Sequence, residues 1–196
     1  MKTRKRSHDN TTIPNLIGAA GEYHVLCQLL LHGYIAALAP RGVPNTDIVV
    51  SDLHSKRLFS VQVKARQNKG ADGGWHMSAK HERLVSPTLF YAFVDFGDVG
   101  ISPPRTWVLS SALVAHVVAE MHRAYIAIPG AKGQQRRDTK FRRLTPDYAL
   151  WVPGAPYGAG WMDRFHVPWP MLGAPPEIQT KNVLSANGVD FDATPA

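Results

Sequence analysis

Four side chains in this chain, Glu22, Asp47, Gln62 and Lys64, combine carboxylates, an amide and an ammonium within 43 residues. Carboxylate and amide oxygens are the donors that a hard divalent cation such as Mg²⁺ takes, with waters completing its octahedron. A fixed ammonium beside them suits a centre where negative charge grows, as on a phosphodiester under attack. The chemistry these residue types could perform is therefore metal-assisted phosphodiester hydrolysis, provided the fold brings them together.

The elements that must do so are legible. In the stretch 58–64, alternation puts Phe59, Val61 and Val63 on one face of a strand and Ser60, Gln62 and Lys64 on the other. Gln62 and Lys64 then project together, roughly 6 to 7 Å apart along the strand. A turn centred between His54 and Ser55 sets Asp47 opposite Gln62 in an antiparallel pair, where Cβ atoms stand about 4.5 to 5.5 Å apart. Upstream, residues 15–32 read as a helix closed by Gly33. Leu26, Leu29 and Leu30 follow Glu22 by four, seven and eight positions, which places Glu22 on the apolar stripe. A carboxylate there requires a cation or another partner, because an unpaired buried charge is costly. The alternative is a water-facing Glu22 that only favours the helix dipole.

Further strands are expected at 34–38, 46–51, 89–96 and 106–109, a short helix at 78–85, and a helix capped by Ser110 or Ser111 and running to about Arg123. Tyr125 to Ile128 reads as one more strand and 70–74 as a loop. The aromatics Tyr148, Trp151, Tyr157, Trp161, Phe165 and Trp169 are expected to cover the core, with base stacking as the alternative use. Cys27, among leucines, reads as a packed core thiol. This order of elements indicates an α/β fold, a sheet layered by helices. The domain spans 13–172, between a flexible basic arm at 1–12 and a poorly ordered tail at 173–196.

Composition narrows the function classes. One cysteine excludes an internal disulfide and a multi-cysteine zinc site, and His76 and His81 add no convincing zinc set. There is no apolar run long enough to span a bilayer, and the basic start is followed by polar residues rather than a signal-peptide core, so a cytoplasmic protein is expected. The net charge of +7 is unevenly placed. Residues 1–10 carry four bases against one acid, and 132–143 carry six against one, which leaves −1 for the rest. Lys132, Arg136, Arg137, Lys140, Arg142 and Arg143 form a candidate grip for a polyanion such as DNA, the alternative being a merely solvated segment. Lys80 or Ser78, just past the Gln62 strand, could also meet a phosphate.

With Gly21-Glu22 on the first helix, Pro44-Asn45-Thr46-Asp47 entering a strand, and Gln62-Val63-Lys64 on the next, residues 14–110 resemble the PD-(D/E)XK nuclease superfamily. Within it, the glutamine form and the glycine-glutamate helix are similar to Mrr-type restriction endonucleases and, more distantly, to archaeal Holliday junction resolvases. The resemblance implies a three-layer α/β/α restriction-endonuclease-like core with a central mixed sheet of about five strands. It further implies a Mg²⁺- or Mn²⁺-dependent endodeoxyribonuclease in restriction or repair. Asp47 is the implied anchor of the metal, Gln62 and the Val63 carbonyl further ligands, and Glu22 a direct or water-mediated one. Lys64 would steady the attacking hydroxide or the phosphorane. Gln62 stands where the commoner pattern has an acid, which removes one negative charge from the metal site. Two other readings remain open: a DNA-binding module of this fold without cleavage, and a regulatory protein whose basic segments meet an acidic partner. Nucleases that cut both strands often act as homodimers, and no residue pattern here marks such an interface.

Overall fold

A computed structural model describes residues 12–67, 73–98, 101 and 103–166, with side chains from residue 15 onward. The expected arm, apart from Thr12, the expected tail, Trp169 and most of the loop 70–74 lie outside the described residues. Helix α1 (Thr12–Leu31) leads into strands β1 (Ile35–Leu38), β2 (Ile48–Ser51) and β3 (Leu58–Arg66). Next come β4 (Trp75–Ser78), a single 3-10 turn (Ala79–Glu82), β5 (Leu89–Asp95), β6 (Arg105–Ser110), α2 (Ser111–Ala127) and β7 (Phe141–Leu144).

Five strands form one mixed sheet in the order β1-β2-β3-β5-β6. β3 and β5 run parallel, and every other neighbouring pair is antiparallel. Strand β5 is apolar along nearly its whole length because it is central and covered on both faces. Its alternate residues separate the core into two layers. Phe90, Ala92 and Val94 pack with Val25 and Leu29 of α1 and with Val61 and Val63. Tyr91 and Phe93 pack on the opposite side with Leu113, Val117 and Met121 of α2, and with Tyr148, Tyr157, Trp161 and Phe165. The expected covering role of those four aromatics is what the fold shows.

Four local expectations are corrected. Residues 125–127 continue α2, because Tyr125 remains in register with the helix that Ser110 caps through its bond from the Leu113 N–H. The predicted helix at 78–85 shrinks to the 3-10 turn, and the residues before it form β4, which pairs with β7 in a second, two-stranded sheet. The buried row of α1 is Gly21, Val25 and Leu29, spaced by four, so Leu30 is 51% exposed and Glu22 flanks the row instead of lying in it. Cys27, two positions past Val25, turns to solvent and is no core thiol.

Candidate active site

Strands β2 and β3 pair with Ile48 opposite Val61, the register that brings Asp47 to Gln62 at the end of the ladder. There the strands begin to part. The Asp47 N–H still bonds the Val61 carbonyl at 3.0 Å, but its carboxylate Oδ2 replaces a backbone acceptor and takes the Val63 N–H at 2.7 Å. The carboxylate is thereby fixed against β3, with lone pairs left for another ligand. Val63 thus enters the site through its N–H, a contact that sequence did not predict; its carbonyl stays an expected ligand.

Gln62 is only 6% exposed and lies beside Tyr91 in the parallel β3–β5 register. Its amide oxygen has no hydrogen-bond partner among the described residues. A buried polar atom left so costs about 1–3 kcal/mol. A carboxylate brought by register to a buried amide oxygen without a partner among the described residues, and a second carboxylate near enough to repel the first, are a donor set that fits a hard divalent cation. The Tyr91 hydroxyl and His81 Nε2 are likewise buried with no partner among the described residues, and the two rings meet edge to face with centroids 5.9 Å apart.

Lys64 shares the Gln62 face. Burial pulls its ammonium below the ordinary lysine range, against the stabilising pull of Asp47; Lys80 lowers it further and Glu22 opposes. Glu22 shows the converse. Burial raises its carboxyl above the usual range, the Asp47 charge adds to this, and Arg41 and Lys64 oppose. Two mutually repelling carboxylates, one of them raised by burial, are a site that gains from a cation.

Gly21 is what lets Glu22 come so near. A Cβ built on it would lie 2.5 Å from the Ala65 Cβ and 3.3 Å from a Val63 methyl, so α1 rests directly on β3 only because that residue lacks a side chain. On the other rim, Lys80 on the 3-10 turn donates to the Asn45 side chain at 2.8 Å. Asn45 holds φ 62, in the left-handed region that asparagine tolerates better than most residues. His81 closes the turn by accepting the Ser78 N–H through Nδ1 at 3.0 Å, and burial keeps its pKa below the ordinary histidine value.

The fold therefore gathers Glu22, Asp47, Gln62 and Lys64, and adds Lys80. The basic segment gathers instead against α2 and β7. Arg142 is 5% exposed and pairs with Glu82 and Asp138, so the expectation of a phosphate grip fails for it: its charge is matched inside the protein. Arg136 stacks on Tyr125, whereas Lys132, Arg137 and Lys140 are exposed. Sequence missed β4, β7 and the bond between Lys80 and Asn45 at the rim. Asn45 carried a usable signal, as an asparagine two residues before a candidate site carboxylate.

No family model and no curated protein matches this chain. Among solved structures, a bacterial homing endonuclease matches over 51% of this chain and 67% of its own, at 18% identity and a TM-score of 0.35. A likeness of that degree leaves the functional reading to rest on the residues of the site.

Proposed function

We propose that this protein is a divalent-metal-dependent DNA endonuclease of the PD-(D/E)XK kind. The observation that carries the reading is the Asp47 carboxylate, tethered by the Val63 N–H beside the buried, unbonded amide oxygen of Gln62, with Lys64 on the same face. Asp47, Gln62 and Glu22 would hold Mg²⁺ or Mn²⁺, with the Val63 carbonyl as a further ligand. When bound, the metal supplies a water of lowered pKa and offsets charge on the phosphate. The protein's own contribution is placement. The Val63 N–H orients Asp47, Gly21 brings Glu22 close to β3, and the Lys64 ammonium stands where a phosphorane would gather charge. Asn45 fixes Lys80 at the rim, within reach of a neighbouring phosphate.

Supercoiled plasmid incubated with the purified protein and Mg²⁺ or Mn²⁺ tests this. Wild type is expected to nick it, and Asp47→Ala and Lys64→Ala each to lose at least about a hundredfold in rate, the usual scale for a transition-state charge stabiliser. Nicking that survives both substitutions, or its absence throughout, overturns the assignment. A specific observation favours a second reading, a DNA-binding module that does not cut: Gln62 brings no charge to the metal. Salt-sensitive gel shifts without nicking are its expected signature.

A further inference from the structure

Between the C-terminal half of α2, the basic segment and β7 lies a cavity of about 650 Å³, large enough for a nucleotide. Its walls include the aromatics Tyr125, Phe141 and Trp151 and the arginines Arg136, Arg137 and Arg143. The Arg136 guanidinium lies 3.9 Å over the Tyr125 ring, and that of Arg143 lies 5.2 Å over Trp151. Stacking holds a guanidinium plane in place while its N–H groups stay in that plane, the direction in which it forks onto a phosphate. Arg142 also reaches the cavity, with its charge matched by Glu82 and Asp138. Among the described residues no carboxylate lines the space, so Arg136 and Arg137 give it a positive field. An inorganic anion would leave the apolar lining, Phe141, Val152 and the ring faces not covered by guanidinium, without a partner, and an apolar ligand would leave the Arg136 and Arg137 charges unanswered. Aromatic faces beside arginines are the combination that takes a base together with its phosphate.

We infer that this cavity binds one nucleoside monophosphate unit, its base on the aromatic wall and its phosphate on Arg136 and Arg137. One 3-10 turn bonds to both regions: Glu82 pairs with Arg142 at the cavity, and Lys80 donates to Asn45 at the candidate site. A strand engaged at Asp47 could thus deliver an extruded nucleotide. That source rests on the nuclease reading, whereas affinity for the free nucleotide does not.

Calorimetric titration of the full chain with each deoxynucleoside monophosphate, the matching nucleosides and inorganic phosphate tests the site, with Asp47→Ala protein in parallel. Saturable one-to-one binding of a monophosphate is expected in both proteins. It should weaken about tenfold without the phosphate, or in Arg137→Gln, as for loss of one charge-assisted contact. Tyr125→Leu should weaken it similarly, with thermal melting confirming that the variants fold. Inorganic phosphate bound as tightly as the nucleotide, equal affinity in both variants, or no saturable binding overturns the inference. A duplex carrying 2-aminopurine distinguishes the sources. A fluorescence rise on binding that Tyr125→Leu abolishes supports an extruded nucleotide. No rise, with monophosphate binding intact, supports the free nucleotide as the ligand.

Discussion

In the proposed site, Gln62 would decide how strongly a metal is held. Its amide oxygen is a neutral donor, next to one carboxylate fixed by a backbone N–H and another raised by burial. Replacing it with an acid adds the charge that a divalent cation favours most, while the strand position and side-chain length stay the same. Gln62→Glu is therefore expected to tighten Mn²⁺ binding about tenfold, a gain of about 1.4 kcal/mol. Calorimetry in the absence of DNA measures this, and unchanged or weaker binding would remove Gln62 from the ligand set. The residues of this site were legible before any fold was known because their types are unusual together. What could not be read is that Asp47 accepts the Val63 N–H, since that bond depends on where two strands part company.

At the scale of elements, the contact between α1 and β3 is the one that shapes the site. Gly21 faces Ala65 so closely that any side chain must push the helix away. Gly21→Val is expected to destabilise the fold by about 1–3 kcal/mol, the range for overpacking a filled interface, even though valine loses less backbone entropy than glycine. Urea unfolding measures the loss. The same displacement carries Glu22 outward, so divalent-metal affinity should fall in the folded fraction as well. A variant of unchanged stability would show that α1 does not depend on this approach. Period-2 alternation and turn spacing made β2 and β3 readable in the sequence, register included. The short β4 and β7 were not readable, because each is four residues long and their partnership spans more than sixty positions.

For the molecule as a whole, one buried and one half-buried histidine couple stability to acidity. Burial lowers the pKa of both His81 and His24 below the ordinary histidine value. The unfolded chain therefore takes up protons before the folded chain does. The stability these residues contribute is present above the ordinary histidine pKa and is lost as pH falls toward their folded values. Glu22 works the opposite way, since its raised pKa means that protonation relieves the folded state. With two histidines against one glutamate, the melting temperature is expected to fall between pH 7 and pH 5. The fall should be smaller in His81→Gln, and calorimetric scans at both pH values measure it. A melting temperature that rises on acidification would mean that the carboxylate outweighs the imidazoles.

Sequence by itself determined which residues are candidates for the site, the helix and hairpin that carry them, and the α/β layering. Each is written in local pattern: residue type, a period of two or near four, and turn chemistry. Tertiary structure alone decided which charges are available. It turned Arg142 inward onto Glu82, exposed Cys27, set Glu22 beside the buried row of α1, and enclosed the aromatic-arginine cavity between α2 and β7. Burial and pairing depend on which distant segments meet, and no local pattern carries that information.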